Sequence, residues 1–163
     1  MTGPTPETPA TRALHEAGVP HTVIVTARAH SAEESAVLQG IELRQLLRTI
    51  VVRRGEDDYL FVLVPGGRRF DWPKLRAHLG VSRLSLPDAS EAHAVTGYVR
   101  GTITPFGASR AWPVILDASA AGLDRVALGG GEHGVNVHLA PADLVATTGA
   151  DVVDVTVPEG TGR

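Results

Sequence analysis

The apolar residues of this chain come in short packets. The longest unbroken run, Tyr59-Leu-Phe-Val-Leu-Val-Pro65, ends at a proline, and the others are soon closed by glycine, proline or a polar turn. Packets of that length build strands and short helices; a bilayer-spanning helix needs roughly 20 apolar residues. Strand-like and helix-like segments alternate along the 163 residues, a length that suits one domain. The pattern predicts a single compact domain of the α/β class, α+β-like in character. Its sheet is expected to be mixed and mostly antiparallel, with short helices around it.

The punctuation places the elements. A first helix is expected over residues 11–17, stopped at Gly18, and a β-branched strand over 21–26. Ser31-Ala-Glu-Glu34 has the form of a capping box, with Glu34 returning to the Ser31 amide, and opens a helix that stops at Gly40. Residues 49–53 and 59–64 read as a hairpin about the turn at 55–58. Pro73 suits the first turn of a helix ending at Gly80, and Asp88-Ala-Ser-Glu91 caps another ending at Gly97. Residues 113–117, 125–128 and 134–139 are strand-like, the last by strict alternation. A helix over 141–148 and a final strand over 151–157 complete the domain, expected to span 11–157. Residues 1–10 and 158–163 are expected to be disordered tails.

Composition narrows the chemistry. With no Cys, there can be no disulfide, thiolate zinc site or Cys nucleophile. The first ten residues have neither a charged nor an apolar region of signal-peptide type, so a cytoplasmic protein is expected. The net charge of −3 hides an asymmetry: residues 44–83 hold eight Arg and the only Lys, against four acids. A basic segment in an acidic chain suits local contact with a phosphate backbone, or is simply a solvated face.

Gly129-Gly-Gly-Glu-His-Gly134 has the spacing G-x-G-x-x-G, but it leads into a strand. A dinucleotide fingerprint needs a helix there, so a tight turn or close backbone approach is expected. No H-E-x-x-H occurs, and His133 and His138 are placed across a turn and a strand with no third ligand to nominate; no metal and no cofactor is expected. His138, beside Asn136, reads as a polar-face or surface histidine. No G-x-S-x-G elbow is present, so hydrolysis would rest on water, backbone donors and placed cations. The least regular stretch is Thr96-Gly-Tyr-Val-Arg-Gly-Thr-Ile-Thr-Pro-Phe-Gly107. It reads either as a nest of outward amides or as a structural corner whose aromatics plug the core.

These residues carry a resemblance. Gly97-Tyr-Val-Arg-Gly101, continued to Pro105-Phe-Gly107, resembles the G-Y-x-x-G-x-x-x-P-F-G segment of the YbaK/EbsC family of aminoacyl-tRNA deacylases, related to the editing domain of bacterial prolyl-tRNA synthetase. His30-Ser-Ala-Glu-Glu-Ser-Ala36, Gln45-Leu-Leu-Arg-Thr-Ile-Val51, the glycines at 129–134 and Leu139-Ala-Pro-Ala-Asp-Leu144 resemble further segments of that family, in the same order. The resemblance implies a YbaK-like fold with a barrel-like sheet, and a trans-acting, metal-independent enzyme that hydrolyses the ester of mischarged tRNA. The implied partner is the 3′-terminal acceptor end of aminoacyl-tRNA, with an aminoacyl-tRNA synthetase as a further one; neither DNA nor membrane is implied, and the chain is expected to be a monomer or weak homodimer. Arg48, Gly101 and Gly107 take the catalytic positions. His30, Thr49, Thr102, Thr104, Pro105, Phe106, Gly130, Gly131 and His133 take the substrate-binding ones. One departure stands out: Arg48 occupies the position of the family's lysine. Arginine stays charged and cannot act as a base, which opens an alternative: a non-catalytic or weakly catalytic binding or regulatory module of the same fold.

Overall fold

The computed structural model describes residues 5–160. Five helices are present there: α1 (Pro9–Glu16), α2 (Ala32–Gln39), α3 (Trp72–Leu79), α4 (Ala89–Thr96) and α5 (Pro141–Thr148). Nine strands accompany them: β1 (Thr22–Val25), β2 (Leu47–Gly55), β3 (Asp58–Pro65), β4 (Arg68–Phe70), β5 (Val114–Asp117), β6 (Val126–Gly129), β7 (Val135–Leu139), β8 (Asp151–Val153) and β9 (Thr156–Pro158). Side-chain caps start four of the helices, with Thr8, Ser31, Asp71 and Asp88 each accepting from the amide three residues on. At α2 the Glu34 carboxylate reaches one residue further back than expected, to the amide of His30 at 2.8 Å.

The sheet is built on β3. Tyr59, Phe61 and Leu63 point into one apolar cluster with Val126, Leu128, Val137 and Leu144. Leu60, Val62 and Val64 point into a second, against Leu75 and Val155. A strand buried on both faces reads as a continuous apolar run, which is why this segment carries the longest one. β2 pairs antiparallel on one side of β3 and β5 parallel on the other, with β8 beyond β5. β1, β7 and β6 form a second, antiparallel sheet, and β4 with β9 a third.

The mixed, mostly antiparallel sheet is as expected, but its ladders do not close into the barrel-like sheet that the resemblance implies. Sheet and sheet meet at one parallel bridge, Leu46 to Ala127, after which β2 and β6 part. The expected last strand is two strands, because Asp117 Oδ1 takes the Val155 amide at 3.0 Å and the chain crosses there to pair with β4. β4 itself, three residues after a Gly-Gly turn, carries too short a pattern to be read from sequence. The ordered chain starts earlier than residue 11: Thr8 and Ala10 are buried, and the Thr8 hydroxyl donates to the Gly130 carbonyl. β9 likewise runs into the expected tail, through Pro158. Of those tails, residues 1–4 and 161–163 lie outside the described residues. His138 is a core residue, not a surface one; its Nε2 donates to Gln39 Oε1 at 2.9 Å, tying β7 to α2.

Candidate active site

Where β2 and β6 part, a cleft of about 840 Å³ opens, within the size range of small-ligand sites. One wall is β2 from Leu46 to Val51. The β1–α2 loop, the loop after α4 and the turn before β7 supply the rest. Five residues singled out from the sequence line it: His30, Arg48, Thr49, Gly101 and His133. They come from four separated segments of chain.

Gly101 stands at the lip with φ +91°, and a Cβ there would lie 3.0 Å from the His133 ring. Its amide makes no hydrogen bond among the described residues, whereas the next amide, Thr102, closes a turn onto the Val99 carbonyl at 3.0 Å. The loop therefore leaves one donor unused beside the His133 ring. Thr49 faces the larger core with Leu47 and Val51, and its Oγ1 is buried with no partner. Asn136 is held by a bond from its Nδ2 to the Ile24 carbonyl at 3.1 Å.

Arg48 is the least expected of the five. As neighbours on a strand alternate, it shares the face of Ile50 and Val52, the side of the second core. Its Nη2 donates to the Arg68 carbonyl at 2.7 Å and lies 3.9 Å from Glu159. The guanidinium therefore ties β2 to the β4–β9 pair.

The other sequence-picked residues build the loops and do not line the cleft. Thr102 and Thr104 are buried, and the Thr102 hydroxyl donates to Val99. Phe106 is in the larger core, and its carbonyl accepts from the Tyr98 phenol at 2.7 Å. Pro105 and Gly107 sit on the far side of this corner, lining a smaller hollow of about 270 Å³ with Leu14 and Trp112. Gly107 is there because a Cβ would meet the Pro9 carbonyl at 2.2 Å. Gly130 and Gly131 are close-packed turn residues, Gly131 against the Tyr98 ring. The irregular stretch is thus both things its composition allowed: a lip at Gly101 and an aromatic-plugged corner at 104–107. Burial pushes the Tyr98 phenol up to about 12.

Two cleft residues that the sequence did not single out are Arg28 and Arg100. Both are exposed and make no ion pair among the described residues, with Asp88 and Glu132 the acids that share the lining. Arg100 lies inside the Gly97–Gly101 motif and was findable there; nothing marked Arg28.

The chain is similar to known editing proteins. The family model of the aminoacyl-tRNA editing domain matches residues 26–147. EbsC of Enterococcus faecalis, provisionally a Cys-tRNA(Pro)/Cys-tRNA(Cys) deacylase, is 26% identical over 129 residues, 79% of each chain. A proline–tRNA ligase of Thermosipho africanus is 28% identical over 119 residues; these cover 71% of this chain and 21% of the ligase, so the likeness concerns about a fifth of that enzyme. A solved structure described provisionally as a trans-editing enzyme for prolyl tRNA synthetase is 29% identical, with a TM-score of 0.82 over 94% of this chain and 99% of the other. The chain belongs to the aminoacyl-tRNA editing domain family, and its fold is that of the YbaK/EbsC-type deacylases.

Proposed function

We propose that the protein is a trans-acting aminoacyl-tRNA deacylase that clears mischarged tRNA, without a metal. Carrying this reading is the convergence of His30, Thr49, Gly101 and His133 from separate segments on one cleft. Its volume suits a terminal adenosine with its amino acid. Water adds to the ester carbonyl carbon and the carbonyl oxygen takes the negative charge. Backbone amides facing the cleft, Gly101 among them, stabilise that charge. The tetrahedral species then collapses: the bond from carbon to the ribose oxygen breaks and a proton from water ends on that oxygen. Free amino acid and uncharged tRNA leave. Arg28 and Arg100 meet the phosphates of the acceptor end, and a synthetase that mischarges its tRNA supplies the substrate.

The test is a panel of mischarged tRNAs incubated with the protein. Ester loss above the spontaneous rate is expected for at least one; loss for none of them defeats the reading.

A second reading has one observation in its favour. The Arg48 guanidinium is held by the Arg68 carbonyl, which suits a module that binds aminoacyl-tRNA without turning it over. Salt-sensitive binding with the ester left intact would select it.

A further inference from the structure

β2 is laddered to β3 on one side only. On the other it is pinned at two points, by the bridge of Leu46 to Ala127 and by that of Arg53 to Ser85. Between those pins the strand edge is open, and it forms the cleft wall. The direction of its backbone groups follows from the bonds at the ends. The Gly66 amide donates to the Leu46 carbonyl at 2.8 Å, and Arg53 and Ser85 exchange both of their bonds, at 2.8 and 3.0 Å. Residues of an antiparallel strand alternate between facing the partner and facing away. Arg48, Ile50 and Val52 therefore turn their amides and carbonyls to β3, and Thr49 and Val51 turn theirs to the cleft. No ladder or bridge engages Thr49 or Val51 on that side, no turn or loop bond reaches their outward groups, and the buried Thr49 hydroxyl has no partner among the described residues. Backbone groups in a protein wall are almost always paired, and an open edge is a template for one more strand.

An aminoacyl ester has the donor and acceptor of one strand residue: an α-ammonium and an ester carbonyl on either side of a single Cα. We propose that the aminoacyl group of the substrate docks as a one-residue rung on the open edge of β2 at Thr49. Its α-ammonium donates to the Thr49 carbonyl, and the Thr49 amide donates to the ester carbonyl. This deepens the deacylase reading and rests on it. The rung places the Thr49 amide on the oxygen that becomes negative when water adds. It also sets handedness. Directly opposed residues of an antiparallel pair send their side chains to one face, so an L-amino acid directs its side chain to the Leu47–Val51 face of β2. A D-amino acid directs it to the other face, that of Arg48 and Ile50.

The probe is 3′-amino-3′-deoxyadenosine carrying L-alanine through a stable amide, with the D-alanine and the propionyl forms as comparisons. In the free protein the amide hydrogens of Thr49 and Val51 should exchange with solvent at least tenfold faster than those of Arg48, Ile50 and Val52. The L-alanyl probe should slow exchange at Thr49, and the D-alanyl and propionyl forms should bind at least tenfold more weakly. Thr49→Pro removes the outward amide at an edge position that tolerates proline, so it should keep the β2–β3 ladder and lose hydrolysis about 100-fold, the scale of one oxyanion donor. Protection of Thr49 in the free protein, absence of L-alanyl binding at millimolar concentration, or equal binding of the three forms overturns the rung. Hydrolysis of mischarged tRNA with Thr49 unmoved by the probe defeats the rung and leaves the deacylase. Protection of Thr49 by the probe without hydrolysis of any mischarged tRNA does the reverse.

Discussion

Arg48 and Tyr98 show how differently two residues of the matched motifs are used. The Arg48 guanidinium spends its strongest contact on the Arg68 carbonyl. The side chain is 45% exposed, where ion pairing adds little. Arg48→Ala is therefore expected to lower kcat/KM by less than about tenfold, against the 10²–10³-fold typical of a lost oxyanion donor. A hundredfold loss would put the guanidinium at the ester after all. Tyr98 is 4% exposed and its phenol holds the Phe106 carbonyl. Tyr98→Phe leaves that carbonyl unpaired and should cost about 1–3 kcal/mol in a denaturation curve. The same phenol gives an alkaline signature. Its pKa is raised from 10 to about 12 by burial, so its contribution is whole below pH 10 and is lost as pH rises from 10 to 12. Tyr59, raised chiefly by its hydrogen bond to Glu91, adds a slope of the same sign. Tyr98→Phe should shrink the alkaline fall in unfolding midpoint without abolishing it.

At the scale of elements, two junctions hold the cleft in shape. Gly107, with φ +66°, lets the corner after α4 lie on the Pro9 carbonyl at the start of α1. Gly107→Ala combines left-handed strain with a clash and should cost about 2 kcal/mol or more, measured by thermal unfolding. If Gly107 is structural, the folded fraction keeps its kcat; a normal stability with lost turnover would return it to the catalytic set. The second junction is His138 on Gln39, whose amide nitrogen donates on to Ser35 in the cleft wall. Burial, and then the charge of Arg125, hold the His138 pKa below its ordinary value. The unfolded chain takes up this proton near pH 6.5 and the folded one resists it. Stability is therefore present above pH 6.5 and lost as pH falls below it. Melting from pH 7.5 to 5.5 should show the fall in the wild type, and His138→Gln should flatten it. The Ser31 and Asp88 caps and the strand packets were legible because they are local signals. The Gly107 contact joins residues about a hundred apart in sequence, and no spacing rule reaches that far.

For the whole molecule, charge is the plainest case of pattern redrawn by folding. Much of the basic excess at 44–83 is met by acids from elsewhere in the chain. Arg53 meets Glu91, Arg68 meets Asp117, Lys74 meets Asp154 and Arg48 lies near Glu159, acids that all come from outside that segment. The cations left for a nucleic acid at the cleft are Arg28 and Arg100. Replacing either with Ala should weaken aminoacyl-tRNA binding and reduce the slope of log affinity against log salt by about 1. An unchanged slope would place the tRNA elsewhere.

The sequence by itself determined the order of most elements, the Ser31 and Asp88 caps, the long apolar run that becomes β3 and the motif order of the family. All of these are written in runs of a few neighbouring residues. Only the tertiary structure decided that β2 and β6 part after Leu46, leaving Thr49 and Val51 an unpaired edge, and that Arg48 turns to β4 while Gly101 turns to the cleft. Those outcomes depend on which distant backbone a strand edge or side chain meets, and the packing of the two cores sets that meeting.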